Sequence, residues 1–404
     1  MLAPEKALRS ILENVPILPP EPTALSDCAG RILAEDIRAR EDLPPFDNSA
    51  MDGFAVITEE CRGASQRTPV RLKVKKTLRA GSLAETELRP GEAIRIMTGA
   101  PLPGGADAVV MKEATSCEEP ATVRILQAPE LGEHIRRHGE DVGAGDLILT
   151  KGTRIRPYEI ALLAAQGILR VRVVRRARVA LLATGDELLE PSRPLTPGKI
   201  RNSNGFALAA ALSRWNISCV YAGIVPDDPV LMRKALEKSI SEADVLLVSG
   251  GVSAGDFDYT KTLLEALGLR TVFWKVAIKP GKPLLFGLWR GKPVFGLPGN
   301  PVAAMVCLEE FVRPALEKMQ GFSPAYPSYH LRGRLENDYP KDKLRQQYLF
   351  CEVSEGPKGF QVRLIRPQGS AMLGMACKAN ALALGPIGVG LLRRSTEISF
   401  RWLK

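Results

Sequence analysis

The stretch that decides the fold covers residues 244–259 and reads Asp-Val-Leu-Leu-Val-Ser-Gly-Gly-Val-Ser-Ala-Gly-Asp-Phe-Asp-Tyr. The apolar run 245–248 is typical of a strand that is buried on both faces of a parallel sheet. Gly250 and Gly251 then let the backbone approach a ligand without a Cβ in the way. Asp258 precedes a helical pattern, so its carboxylate could cap that helix or help to hold a hard cation.

Strand and helix patterns alternate around this stretch from residue 178 to 320. The predicted strands are 179–183, 219–225, 245–248, 272–278, 284–288 and 294–297. The predicted helices are 205–214, 229–240, 259–267 and 301–319. This alternation predicts a mostly parallel α/β sheet with helices on both faces, and such sheets bind ligands beyond the carboxyl ends of their strands.

The rest of the chain has short strand patterns separated by glycine and proline. At 404 residues the chain is too long for one ordinary core. We therefore predict a multidomain α/β plus all-β protein, with a central α/β sheet domain between small β-rich domains. The predicted domains are 1–45 with 146–177, mixed and discontinuous; 46–145, β-rich and inserted; 178–323, α/β; and 324–404, resembling a β-barrel.

Composition narrows the class of function. The net charge is +10, but aromatic residues are only 6% and are not interleaved with the basic runs, so a nucleic-acid stacking platform is not expected. The positive field instead favours an anionic small ligand. No apolar run is long enough for a membrane span, no secretory signal is visible, and the seven cysteines stand singly, which predicts a reducing cytoplasm.

Acidic residues follow each of the first three strands of the predicted sheet. The carboxyl ends of parallel strands meet at one edge, so these carboxylates would repel one another without a cation, and magnesium suits such oxygen ligands. The alternative for Asp227 or Asp228 is that one of them only caps the helix that begins at Pro229. The three loops contain Thr184-Gly185-Asp186-Glu187, Asp227-Asp228, and Asp256 with Asp258.

Two later loops have the opposite character. Lys275 and Lys279 lie on one side of an extended run, and Gly296-Leu297-Pro298-Gly299-Asn300-Pro301 leads into a helix whose N-terminal N–H groups could receive an anion. Taken singly, the lysines could be ordinary hairpin charges. Together with the helix entry they predict a phosphate or oxyanion pocket.

Several familiar chemistries are disfavoured. There is no G-x-x-x-x-G-K-[ST] and no G-x-G-x-x-G after a strand, which argues against P-loop hydrolysis and dinucleotide redox chemistry. His134 and His138 have the spacing of a helical metal pair, but they lie in a β-rich region, so zinc is not favoured. The expected chemistry therefore depends on a metal and on electrostatic stabilisation of a phosphorus centre or oxyanion.

The motifs resemble those of the molybdopterin molybdenumtransferases, the MoeA family, which is related to the gephyrin E domain. The resemblance covers the chain nearly end to end. The matching stretches are 46–55, which reads Phe-Asp-Asn-Ser-Ala-Met-Asp-Gly-Phe-Ala, together with 95–101, 135–141, 184–187, 249–253, 258–259, 279–283 and 296–301.

The resemblance implies an elongated homodimer of four-domain chains, with the α/β domain of one subunit facing the N-terminal domains of the other. It implies magnesium-dependent insertion of molybdate into adenylylated molybdopterin, with release of AMP. Its partners would be a molybdopterin adenylyltransferase and recipient molybdoenzymes. The metal ligands would be Glu187, Asp227 and Asp258.

The remaining site residues are also carried over from the resemblance, position by position. Those expected to be catalytic are Asp52, Thr98, Asp141, Glu187, Asp227, Asp258, Lys275 and Lys279. Those expected to contact the substrate are Thr184, Gly185, Asp186, Ser249, Gly250, Gly251, Ser253, Lys282, Pro298, Gly299 and Asn300.

The chain departs from the family pattern near its C-terminus, and two rival functions stay open. Where many members carry a serine-rich turn, this chain has Met372-Leu373-Gly374-Met375-Ala376, and Arg345 is the arginine that could replace the family arginine nearby. One rival is the preceding step, molybdopterin adenylyltransfer. The other is a scaffold that binds a partner peptide, as the gephyrin relationship suggests.

Overall fold

The computed structural model describes residues 1–83, 85–118, 121–251, 259–323 and 329–403. The chain divides into two compact units, one made of Met1–Glu21 with Val173–Lys404 and the other of Pro22–Arg172. The finer division into four domains stays a prediction.

A six-stranded sheet forms the centre of the first unit, counted over the described residues. Its strands in chain order are β1 (Arg178–Thr184), β2 (Ser218–Val225), β3 (Val245–Ser249), β4 (Arg270–Trp274), β5 (Leu285–Trp289) and β6 (Lys292–Leu297). The helices of this region are α1 (Ser203–Arg214), α2 (Pro229–Glu242), α3 (Tyr259–Ala266) and α4 (Pro301–Cys307). After α4 the chain continues through a π-helical turn, Leu308–Val312, into the helix Arg313–Met319.

The strands run in the order β2-β1-β3-β6-β5-β4. The first four are mutually parallel, and β5 and β4 are antiparallel to their neighbours. The prediction of a mostly parallel sheet is therefore confirmed. The strand order reverses between β1 and β3, which is where open α/β sheets form a ligand crevice.

Helices cover both faces because side chains alternate along the strands. Leu246 and Val248 of β3 share one buried cluster with Met232 and Leu236 of α2 and with Leu264 of α3. On the other side, α1 contacts β1 and α4. Both faces of the parallel strands are thus apolar, which explains the continuous apolar run in β3.

The predicted strand 272–278 is wrong in extent. β4 ends at Trp274, and Lys275 has φ of 75°, a left-handed conformation that interrupts an extended chain. Ile278–Lys279 forms a separate short strand, which pairs in parallel with Gln346–Gly356 of a second sheet.

That second sheet closes on itself in the C-terminal part of the first unit. Five of its strands form a ring, because Gln346–Gly356 pairs with both Gly359–Leu364 and Ala381–Gly385. The interior contains Leu349, Cys351 and Phe400. The expected β-barrel-like fold is present, and its other two strands are Leu331–Leu335 and Glu397–Trp402.

The second unit contains a sheet that confirms the predicted β-rich segment. In spatial order its strands are Ala108–Met111, Gly53–Val56, Glu92–Ile96, Val70–Leu78, Thr122–Ile125 and Thr115–Glu118. Phe54, Ala93 and Val123 are part of its buried core. Among the described residues of this unit, Pro157–Ala165 forms an α-helix, and Leu25–Asp27, Thr58–Cys61 and Lys112–Ala114 form short 3-10 helices.

Shorter elements complete the described chain. The helices Pro4–Asn14 and Leu373–Ala376 belong to the first unit. The remaining strands are Pro20–Ala24, Ile37–Arg38, Asn48–Ser49, Ile135–Arg136, Leu147–Leu149, Arg170–Val174, Leu188–Leu189, Ile200–Arg201, Tyr339–Pro340 and Leu391–Leu392. None of the described helices combines the length and the apolar composition needed to cross a bilayer.

The cysteines are all free thiols. Four are buried, Cys219 is half-buried, and Cys117 and Cys377 are exposed. Burial raises the pKa of Cys61 to about 11 and that of Cys351 to about 12. The buried thiols are therefore neutral, unreactive core groups at neutral pH.

Candidate active site

A cleft of 700 Å³ lies at the carboxyl ends of the parallel strands. We call it the sheet-edge cleft. Nine of the sequence-predicted site residues line it: Thr184, Gly185, Glu187, Asp227, Ser249, Gly250, Gly251, Gly299 and Asn300. The topology therefore brings the loops after β1, β2, β3 and β6 together, as the sequence predicted.

The acidic side of this cleft comes from the loops after β1 and β2. Glu187 is exposed and Asp227 is half-buried, and both line the cleft. The two loops are joined because the Asp227 N–H donates to Asp186 Oδ1 at 3.1 Å. Asp228 instead caps α2, accepting from the N–H groups of Val230 and Leu231 at 2.9 and 2.8 Å. The geometry thus separates the two neighbouring aspartates, since one lines the cleft and the other caps a helix.

Gly185 determines where the Glu187 carboxylate can lie. Its φ is 141°, and a Cβ at this position would come within 2.7 Å of the Glu187 carboxyl carbon. Only glycine accepts this conformation without strain and leaves space for the carboxylate. The loop sequence Gly-Asp-Glu therefore folds the Glu187 side chain back over its own backbone.

The buried floor of the cleft is held by Asn204. This residue is 9% exposed, and its Nδ2 donates to Ser249 Oγ and to the Gly299 carbonyl oxygen, both at 2.8 Å. One amide therefore fixes the end of β3 against the loop after β6. The Gly250 N–H donates to Leu297 O at 3.1 Å and is therefore not available to a ligand. Gly250 would still let a ligand come close to the backbone, because it has no side chain.

The start of α1 is a part of the cleft that the sequence interpretation missed. Asn202 caps the helix by accepting from the Gly205 N–H at 3.0 Å. Ser203 and Asn204, the first two helical residues, line the cleft, and their backbone N–H groups donate to no other described residue. The signal was present in the sequence, because Asn-Ser-Asn-Gly before a helical pattern is typical of an N-cap.

The helix entry at α4 differs from the expectation. Its N-terminal N–H groups were expected to receive an anion. Those of Val302 and Ala303 instead donate to the Ser370 carbonyl oxygen at 3.0 and 3.3 Å. Asn300 also donates through Nδ2 to Ser370 Oγ at 3.0 Å. The available helix N-terminus is therefore that of α1 and not that of α4.

One wall of the cleft is held by a chain of side-chain hydrogen bonds. The Tyr221 hydroxyl donates to Glu190 at 3.0 Å and accepts from Asn202 Nδ2 at 2.5 Å. Burial and the Glu190 carboxylate raise the pKa of Tyr221, so the hydroxyl stays protonated and keeps donating. This chain ties the segment after Glu187 to β2 and to the cap of α1.

A second cleft, of 230 Å³, lies between the sheet and the C-terminal barrel. We call it the lysine cleft, because the exposed residues Lys279 and Lys282 line it. Arg345 also lines it and is ion-paired with Asp342 at 2.6 Å. The predicted residues Pro298 and Asn300 line it as well, and Asn300 is shared with the sheet-edge cleft.

Lys275 lines neither of these clefts. Its ammonium group lies 3.6 Å from the centre of the Trp274 ring, which is a cation–π contact. The structure therefore separates Lys275 from Lys279, although the sequence pattern placed them together.

The candidate residues Asp52, Thr98 and Asp141 lie in the other unit. Asp52 accepts from the Thr98 backbone N–H at 2.7 Å and from its hydroxyl at 2.8 Å. These hydrogen bonds lower the pKa of the Asp52 carboxyl, so it is ionised at neutral pH. The Asp141 N–H donates to the Leu43 carbonyl oxygen at 3.0 Å, and the Asp141 side chain is exposed.

Two predicted site residues, Asp258 and Ser253, fall within 252–258 and lie outside the described residues. Among the residues that are described, no three acidic, histidine or cysteine side chains form a metal-binding group. Glu187 and Asp227 supply two oxygen donors on adjacent walls of one cleft. This donor set suits a hard cation that keeps water or phosphate as further ligands.

Known families match both halves of the chain. Residues 2–167 match the MoeA N-terminal region (domain I and II), and residues 180–318 match a probable molybdopterin binding domain. A molybdopterin molybdenumtransferase from Haemophilus influenzae is 40% identical over 383 residues, which cover 94% of this chain and 93% of that protein. One from Nostoc sp. is 37% identical over 374 residues, 91% of this chain and 85% of that protein.

A solved structure agrees with these relatives. The molybdopterin biosynthesis MoeA protein from Pyrococcus horikoshii OT3 is 30% identical, covers 100% of both chains and has a TM-score of 0.82. The chain therefore belongs to the MoeA family of molybdopterin molybdenumtransferases, enzymes of molybdenum cofactor biosynthesis.

Proposed function

We propose that this enzyme inserts molybdate into adenylylated molybdopterin and releases AMP, with magnesium held at the sheet-edge cleft. The observation that carries the proposal is that Glu187 and Asp227, from two different loops, line one cleft together with the open start of α1. The cation would thus bind the two carboxylates, and the anionic substrate would bind the positive end of α1 in the same cleft.

Glu187 and Asp227 would hold the magnesium ion, with Asp258 as a third ligand by resemblance. Asp186 contributes by positioning, because its carboxylate fixes the backbone of the Asp227 loop. Bound magnesium would polarise a phosphoryl oxygen and offset the charge that develops at the scissile phosphate.

The chain's own groups bind and orient the substrate. The N–H groups of Ser203 and Asn204, which donate to none of the residues that the structure describes, suit a phosphate, because a helix N-terminus combines oriented donors with a positive dipole end. Gly250 and Gly251 let a bulky ligand approach the backbone. Lys279 and Lys282 place positive charge in the lysine cleft, which suits molybdate as the second substrate.

Asp52, Thr98 and Asp141 are proposed site residues on the family resemblance. The ionised Asp52 carboxylate and the Thr98 hydroxyl form one exposed unit that can accept from or donate to a substrate. The homodimer, the cytoplasmic location, and the partner adenylyltransferase and molybdoenzymes also remain proposals, and the oligomeric state can be checked by sedimentation.

The test is AMP release from adenylylated molybdopterin by the purified protein, with and without magnesium and molybdate. Asp227→Asn is expected to slow release at least tenfold, about 1.4 kcal/mol of transition-state stabilisation. Asp228→Asn is the matched control, because asparagine also caps helices, and it should keep wild-type activity.

Equal losses in the Asp227 and Asp228 variants would contradict the assignment of the cleft carboxylate. Tight substrate binding without any AMP release would instead favour the preceding adenylyltransfer or a scaffolding role.

A further inference from the structure

Two glutamines line the lysine cleft and use their amides differently. Gln368 is fully engaged, since its Nε2 donates to the carbonyl oxygens of Phe350 and Ile365 at 2.7 and 2.6 Å, and its Oε1 accepts from the Phe350 N–H at 3.1 Å. Gln347 is 2% exposed, and its Nε2 has no hydrogen-bond partner among the described residues. Buried amide donors are almost always paired, so this orphaned donor is open to an acceptor that a water or a ligand would bring.

The charges around Gln347 define the kind of acceptor. The ammonium groups of Lys279 and Lys282 make no hydrogen bond or ion pair to any described residue, whereas the charge of Arg345 is offset by its ion pair with Asp342. Apolar side chains such as Phe350 and Met375 form part of the wall, and a less polar surrounding strengthens the attraction of these cations for an anion. The ligand that fits is therefore an oxyanion.

The lining also restricts the protonation state of that oxyanion. No aspartate or glutamate lines this cleft among the described residues. Lysine, arginine and an amide N–H can only donate, and the acceptors in the lining are neutral oxygens such as those of Tyr339, Ser370 and Asn300, which accept a proton less strongly than a carboxylate does. Hydrogen phosphate carries an O–H that has to donate in turn, whereas molybdate and sulfate are fully deprotonated at neutral pH.

We infer that Gln347 is a specificity-determining residue, whose Nε2 donates to a fully deprotonated tetrahedral oxyanion held by Lys279 and Lys282. The cleft accepts molybdate or sulfate and rejects an oxyanion that keeps an acidic proton. This inference rests on the proposed function, because it assigns the molybdate of that reaction to the lysine cleft.

The test is calorimetric titration of the purified full chain with molybdate, sulfate and phosphate in turn. Phosphate should bind at least tenfold more weakly than molybdate. Gln347→Leu removes the donor and should weaken molybdate binding at least tenfold. Gln347→Glu puts a carboxylate against the anion and should weaken it further.

Gln346→Leu is the matched control, because the neighbouring amide donates to the Tyr348 hydroxyl at 3.0 Å and does not line the cleft. It should bind molybdate within twofold of wild type. Without any anion, Gln347→Leu should melt at the wild-type temperature or above, since it removes an unpaired buried donor. A merely structural glutamine would give a lower melting temperature.

Unchanged molybdate affinity in Gln347→Leu, or phosphate binding as tight as molybdate binding, would overturn the inference. The inference would also be overturned if Gln347→Leu melted at a lower temperature than wild type and lost the same factor of affinity for all three anions. Measuring AMP release distinguishes a failure of this inference from a failure of the proposed function. If wild type releases AMP but the variants bind anions normally, only the inference fails. If the anions bind selectively but no AMP is released, the proposed function fails and the oxyanion site stands.

Discussion

Residues of the same type in and near the loops of the sheet-edge cleft have different roles. Asp227 and Asp228 are neighbours, yet one faces the cleft and the other caps α2. Gly185 and Gly198 both have positive φ, of 141° and 78°, but only Gly185 lies against a functional carboxylate. The contacts of each residue, and not its type, decide its role here.

Gly185→Ala is expected to lower AMP release at least tenfold, about 1.4 kcal/mol. The new Cβ would overlap the Glu187 carboxylate and push it out of place. Gly198→Ala is the control for a positive-φ glycine, because a Cβ there meets nothing within 4 Å and the variant carries only backbone strain, about 1 kcal/mol. Equal losses of activity in the two variants would show that backbone strain is the cause, and not displacement of Glu187.

The convergence of acidic loops could be predicted from the sequence, because parallel strands bring their carboxyl ends to one edge. The sequence could not predict that the N–H groups at the start of α4 are already hydrogen-bonded. The N–H groups of Val302 and Ala303 are taken by Ser370, a contact distant in sequence. The position of Lys275 was missed for a similar reason, since its left-handed backbone and its contact with Trp274 have no signature in the strand pattern.

At the scale of elements, hydrogen bonds at helix starts and in loops fix local structure in both compact units. Arg156 is the N-cap of the helix Pro157–Ala165. Its backbone N–H donates to Glu159 Oε2 at 2.7 Å, and its guanidinium donates to Glu159 Oε1 at 2.5 Å. This contact lowers the pKa of Glu159 from 4.5 to about 2. The helix start is therefore a source of pH-dependent stability.

Glu159→Gln is expected to lower the free energy of unfolding at pH 7 by about 1 kcal/mol, because the mostly exposed Arg156 is screened by solvent. The folded-state pKa lies below the unfolded value, so the wild-type advantage is complete above pH 4.5 and is lost as the pH falls toward 2. Urea unfolding between pH 7 and pH 3 measures it. Glu85→Gln, at an exposed position, should show no such pH-dependent difference from wild type.

Tyr221→Phe tests the hydrogen-bonded wall of the sheet-edge cleft. The variant loses the donor to Glu190 and the acceptor for Asn202, and it should be destabilised by about 1 kcal/mol. Because the wall positions substrate contacts, KM in the AMP-release assay should rise severalfold while kcat changes less. A fall in kcat with unchanged KM would contradict a positioning role.

At the scale of the whole molecule, one buried charge network joins the C-terminal barrel to the helical segment after α4. Arg401, on the last strand, binds the carboxylates of Glu309 and Glu310, and the Tyr329 hydroxyl donates to Glu310 at 2.9 Å. Glu310 is 4% exposed, and burial raises the pKa of its carboxyl. Arg401 is thus the counter-charge that allows an acidic side chain to remain in this interface.

Arg401→Met is expected to reduce the free energy of unfolding by about 3 kcal/mol, because removing one partner leaves a buried charge uncompensated. The double variant Arg401→Met/Glu310→Gln should recover at least half of that loss in urea unfolding at pH 7. The single variant should also gain relative stability at low pH, where Glu310 is protonated. No recovery in the double variant would mean that packing of the arginine stem, and not its charge, is what matters.

The distribution of thiols has a practical consequence. Cys117 and Cys377 are the exposed cysteines of the described chain, and one lies in each compact unit. The buried thiols are kept protonated, so a maleimide dye at neutral pH will label these two positions first. The natural sequence therefore already carries an attachment point for a fluorophore on each unit, without any engineered cysteine.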